Sequence, residues 1–173
     1  MNSYAVFLRG INVGGINIKM ADLKDALKSS GFADVKTLLA SGNVLFDADA
    51  VDARAIETAL EKQFGFEIGP VLRSQAQLRD LVALDPFAGR VEDDKTKLYV
   101  TFVDDSGAKS LPMPCAIPGD FEVVKLTDGE VFALAFRDQD GRYGLGMEVI
   151  SKHFGKKRLW TSRNWNTVLK AAK

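Results

Sequence analysis

The chain has 173 residues, 46% hydrophobic and 27% charged, an ordinary globular composition that excludes a disordered or fibrous protein and suits one compact domain or two small ones. No apolar run reaches the roughly 18 residues of a membrane span, and Met1-Asn2-Ser3 leads straight into a strand-like segment, so neither a membrane anchor nor a signal peptide is expected. The formal net charge is zero, but the last acidic residue is Glu148; beyond it Lys152, Lys156, Lys157, Arg158, Arg163, Lys170 and Lys173 make a +7 tail that cancels a −7 body. Such asymmetry points to an anionic partner or to an internal salt-bridged interface.

Tyr4 to Leu8 is a continuous apolar run, the pattern of a strand buried on both faces. After the glycine-rich stretch 10–15, Met20, Leu23 and Leu27 recur at helical spacing, and Gly31 is placed to stop that helix. Val35 to Leu39 and Val44 to Phe46 predict two short strands joined through Ser41-Gly42-Asn43, a tight-turn signal. Ile56, Leu60 and Phe64 share one face of a helix over 52–64 that ends at Gly65, and Ile68 to Arg73 is a fourth strand. The order β-α-β-β-α-β is the ferredoxin-like pattern, in which the third strand lies between the first two. That topology makes segments 10–19 and 41–43 spatial neighbours.

The second half predicts a helix from Gln75 to Leu84, stopped before Pro86, and a strand from Leu98 to Val103. Three prolines between Ser106 and Asp120 exclude a long helix there. Phe121–Leu126 and Val131–Phe136 form a hairpin across Asp128-Gly129, and 147–154 and 162–172 read as helices. The expected fold class is therefore α+β: a ferredoxin-like βαββαβ half, residues 1–74, packed against a second, degenerate α+β half, residues 75–173, with a basic helical tail.

Three polar constellations carry chemistry. Arg9 to Lys19 joins a buried strand to a helix, where backbone N–H groups and the helix dipole can hold an anion, and Arg9 and Lys19 flank the turn. The spacing Gly10-x-x-x-x-Gly15 stops short of a phosphate loop, because Ile16-Asn17 stands where Lys-Ser/Thr is required; Gly-x-Gly is also absent. An ATPase and a dinucleotide-binding fold are both excluded on this pattern. Asn12, Gly14, Gly15 and Asn17 are also what a simple chain reversal would use. Ser41 and Asn43 form the second constellation, a hairpin turn beside the first loop.

The third is Thr161-Ser162-Arg163-Asn164-Trp165-Asn166-Thr167. Thr161 or Ser162 reads as an N-cap, Trp165 as a core anchor, and Arg163, Asn164, Asn166 and Thr167 as a polar face. Two asparagines in a first turn either cap the helix or present amides to a ligand.

The remaining candidates are weaker. His153 reads as a helix-end histidine and Cys115 as a structural thiol. Glu92-Asp93-Asp94 and Asp104-Asp105 read as solvated turns, and the glycines at 141, 144 and 146 as loop geometry. With one His and one Cys, neither a four-ligand zinc site nor an internal disulfide can form; no metal or cofactor is expected, and a reducing cytoplasm is the expected compartment.

Leu8-Arg9-Gly10-Ile11-Asn12-Val13-Gly14-Gly15, Ser41-Gly42-Asn43-Val44 and Arg163-Asn164-Trp165-Asn166-Thr167, in that order across nearly the whole chain, closely resemble the bacterial domain-of-unknown-function 1697 family. The resemblance implies a cytoplasmic α+β protein of two subdomains with ferredoxin-like character, and no particular activity. Ile16 departs from the basic or polar residue that follows the glycine pair in many relatives, which removes a possible phosphate contact.

Three functions follow from these residues. The first is a binding module for a phosphate-bearing ligand, a nucleotide or nucleic acid, held by Arg9, Asn12, Gly14, Gly15, Asn17, Lys19, Ser41 and Asn43, with Arg163, Asn164, Asn166 and Thr167 completing the site. The second is a transferase or hydrolase on a small phosphorylated metabolite, although no nucleophile-plus-base pair is present. The third is a purely structural interface between the two halves.

Overall fold

The computed structural model describes residues 1–11, 17–39, 42–155 and 158–173. It is a mixed α+β protein with two antiparallel sheets and five helices among these residues. The chain divides into two compact units, Met1–Asp80 with Lys170–Lys173, and Leu81–Leu169.

The first unit begins with β1 (Asn2–Arg9), in which Ala5, Val6, Phe7 and Leu8 are all buried, as a continuous apolar run requires. α1 (Met20–Ser29) buries Leu23, Ala26 and Leu27, and β2 (Ala33–Leu38) and β3 (Asn43–Ala48) follow. α2 (Ala53–Phe64) is capped by Asp52, whose side chain accepts from Ala55 N at 2.8 Å, and is closed by left-handed Gly65. β4 (Gly69–Ser74) then pairs with β1.

The sheet order is β2-β3-β1-β4, so the third strand does lie between the first two. Each of β1 and β2 is antiparallel to β3, so they run parallel to one another. Val6, Leu8, Val44 and Phe46 meet Leu23, Leu27, Ile56 and Leu60 in one core. α3 (Gln75–Ala83) opens on a reciprocal cap, in which Gln77 N donates to Ser74 Oγ and Ser74 N donates to Gln77 Oε1.

The second unit holds β5 (Thr96–Val103), β6 (Ala116–Ile117), β7 (Phe121–Leu126), β8 (Glu130–Phe136), α4 (Glu148–Phe154), β9 (Trp160–Asn164) and most of α5 (Trp165–Ala171). Its sheet order is β6-β7-β8-β5-β9. Residues alternate between two buried faces of this sheet. Val131 and Ala133 pack with Phe121, Ile150 and Phe154 on one side. On the other, Phe132, Phe87 and Trp165 meet one another edge-to-face, with centroids 5.4–5.9 Å apart. Each such contact adds about 1 kcal/mol beyond area burial. Trp165 is thus a core anchor.

One element differs from expectation. The sequence predicts a helix over 162–172, but Trp160–Asn164 is a strand and the helix begins at Trp165. Thr161 and Ser162 are not a helix cap. They pair with Phe102 and Thr101 of β5, and the Ser162 and Thr101 hydroxyls hydrogen-bond at 2.7 Å. Partners some sixty positions upstream override the local capping signal. No described helix is long and apolar enough to cross a membrane.

Candidate functional site

In the first unit, β1 ends at Arg9, and Leu8 N donates to Gly42 O at 2.8 Å, fastening the strand end to the β2–β3 turn. Gly42 has φ +77°, and a Cβ there would lie 2.4 Å from Ile11 Cδ1 and 3.2 Å from Leu8 Cβ. Both the backbone conformation and the space demand glycine. The expected neighbourhood of the two segments is therefore present in the described residues. Ile11 and Ile18 are buried in the core on either side of 12–16, so the chain enters and leaves that segment from fixed points. Asn12, Gly14, Gly15 and Ser41 lie outside the described residues.

Asn17 and Lys19 are exposed. Lys19 is the N-cap residue of α1 in extended conformation, and its side chain makes no capping hydrogen bond. Asp22 already complements the helix dipole in that turn, so any attraction for an anion has to come from Arg9 and Lys19. Asn43 is only 1% exposed, and its Nδ2 donates to Leu38 O at 3.0 Å, closing the hairpin. It stands inside the turn rather than on its surface.

In the second unit the C-terminal residues do not share one polar face. Because β9 is a strand, Arg163 and Asn164 point to opposite sides of the sheet. Arg163 pairs in register with Val100, donates from Nη1 to Thr161 Oγ1 at 2.7 Å and to Ser162 O at 2.8 Å, and burial pushes its guanidinium down to about 10. It still carries its charge at neutral pH. Thr167 is buried, contrary to its expected place on a solvent face.

The amides of Asn164 and Asn166 both donate to Glu92: Asn164 Nδ2 to Oε1, and Asn166 Nδ2 to Oε2 at 2.9 Å. Leu98 N adds a third donor to Oε1 at 2.8 Å. Asn164 Oδ1 also accepts from Asn166 N at 2.9 Å and so caps α5. The run 92–94 is therefore no merely solvated turn. Glu92 organises the C-terminal motif, and Asp93 Oδ1 accepts from Lys95 N and Thr96 N, both at 2.8 Å. Sequence reasoning missed this clamp. Its one signal is the Asn-x-Asn spacing, which sets two amides where both can reach a single carboxylate. Close by, burial, then the charge of Glu92 and then Tyr143 raise the Tyr99 phenol above its usual value.

Among the described residues no group of three His, Cys, Asp or Glu side chains could hold a metal ion. Residues 1–132 match the family model described as "Protein of unknown function (DUF1697)". The fold is similar to the structure of the conserved bacterial protein SP0830 from Streptococcus pneumoniae, with a TM-score of 0.69 at 22% identity, covering 99% of this chain and 97% of that one. An unknown protein from Galdieria sulphuraria aligns with a TM-score of only 0.28 at 18% identity, over 94% of this chain and 96% of that one. Comparison with curated proteins returned no match.

Proposed function

The chain belongs to the DUF1697 family of proteins of unknown function, and from its own geometry we propose that it is a binding module for a phosphate-bearing ligand, a nucleotide or nucleic acid. The site is the β1–α1 segment, with Arg9, Asn12, the Gly14 and Gly15 amides, Asn17 and Lys19 as one wall and the Ser41–Asn43 turn beside it. The observation that carries this reading is the clasp between Leu8, Ile11 and Gly42, which fixes the end of β1, where Arg9 stands, and the hairpin against each other. A strand end and a hairpin already fixed together lower the ordering cost of gripping an anion. The same reading takes the first unit as ferredoxin-like, supported by the strand order β2-β3-β1-β4.

For the C-terminal motif a structural role is the better reading, because Glu92 occupies both asparagine amides. Arg163, bonded to Thr161 and Ser162, serves the second unit's fold together with Asn164, Asn166 and Thr167. Titration of the full chain with ATP, pyrophosphate and a short single-stranded RNA at 20 mM salt tests the proposal. Saturable binding that weakens at least tenfold at 0.3 M salt is expected. No binding of any of the three at low salt contradicts it.

A further inference from the structure

The second unit carries a groove of about 550 Å³ that the proposed phosphate site does not use. One wall is the segment from Leu111 to Ile117, the floor is the buried ring of Phe121, and the other wall is the outer face of α4. On that helix Val149, Lys152 and His153 follow i, i+3, i+4 spacing and share a face, while Ile150 and Phe154 turn into the core. Pro112 and Pro114 fix the backbone of the first wall, so the groove is formed in advance. Ile117 and Val149 stand 45% and 44% exposed, an apolar surface in water without an evident purpose in the fold. Burial raises the Cys115 thiol, which lines the groove as a neutral group.

The charged rim has one sign. Among the described residues lining the groove, Lys152 and His153 are the basic ones, and no carboxylate lines it. Lys152 Nζ meets Glu148 Oε1 at 2.8 Å, but both side chains are well exposed, and such a pair is screened by water. An ammonium has three donors and can keep Glu148 while taking a second carboxylate. His153 Nε2 lies 2.9 Å from Ser110 Oγ, and that hydroxyl donates to Gly107 O at 2.7 Å, leaving its oxygen to accept from the ring. The imidazole is thereby held in place beside the apolar wall.

We propose that this groove binds a medium-chain monocarboxylate, its apolar body laid along Ile117, Phe121 and Val149 and its carboxylate on the Lys152 ammonium. Apolar burial supplies the affinity, and the Lys152 ammonium selects an acid over the matching alcohol.

Ligand-observed NMR on the full chain with octanoate and octan-1-ol as probes tests this. Saturable one-to-one binding of octanoate is expected, with octan-1-ol at least fivefold weaker. Lys152→Met should weaken octanoate about fivefold, the worth of one partly screened charge pair, and leave octan-1-ol unchanged. Val149→Trp, which fills the groove from an exposed helix position, should weaken both, and its melting curve shows that it folds. Absence of saturable octanoate binding by the folded wild type overturns the proposal, as does equal affinity for acid and alcohol. Phosphate binding at Arg9 and Lys19 is read in the same samples and should not respond to either variant.

Discussion

The N-terminal loop and the C-terminal Arg-Asn-Trp-Asn-Thr motif look alike in sequence, both polar, both at a strand-to-helix junction, both carrying Arg and Asn. The fold uses them in opposite ways. At the C-terminus Glu92 gathers the two asparagine amides and Leu98 N, so the polar groups are satisfied within the second unit. At the N-terminus Lys19 heads α1 exposed to solvent, and its side chain makes no capping hydrogen bond. A polar motif whose donors are already answered by an acid elsewhere in the chain serves the fold first. Local sequence does not reveal that acid when it lies 72 positions away.

Four perturbations break or sharpen this contrast. The largest effect belongs to Gly42→Ala, which places a Cβ against Ile11 and forces a side chain into positive φ. It should cost about 3 kcal/mol in chemical denaturation and also loosen phosphate binding, since the hairpin and the loop share that contact. Glu92→Ala should cost about 2 kcal/mol, a fall in Tm of roughly 4–8 °C, because it strands two amides and a backbone N–H; phosphate affinity should not change. The double variant Arg9→Met/Lys19→Met should lower nucleotide affinity about tenfold or more, some 1.4 kcal/mol, with a smaller effect on Tm than Glu92→Ala.

The smallest effect is spectroscopic. Tyr99 should ionise later than a free tyrosine when absorbance is followed through alkaline pH. Its folded value lies above its unfolded one, so the stability linked to its neutral form is complete below about pH 10 and is lost as the pH rises through the folded value. In Glu92→Gln it should ionise earlier, yet still later than a free tyrosine, because burial is the larger cause.

Much of the first unit was legible because its signals are local. Four consecutive apolar residues in β1, the Leu23–Leu27 stripe, the helix stop at Gly65 and the glycine at 42 each state their structure within a few positions. The neighbourhood of the loop and the hairpin then followed from the order of elements. Most of the second unit's strands were legible for the same reason.

The C-terminal motif was not, because Thr161-Ser162 is a fair cap in isolation and a strand only beside β5. Reading a helix there put Arg163 and Asn164 on one face, whereas the two-residue period of a strand sets them on opposite faces. The Glu92 clamp was hidden for a related reason: three neighbouring acids in a turn look solvated until the partner strand is in place. β6, only two residues long, has no periodicity to read.

One binding titration separates the two motifs most directly: pyrophosphate added at low salt to wild type, Arg9→Met/Lys19→Met and Asn166→Ala, each with its melting curve. The account predicts binding lost in the first variant at nearly unchanged Tm, and binding retained in the second at lowered Tm. Retained binding in Arg9→Met/Lys19→Met together with lost binding in a folded Asn166→Ala would contradict it.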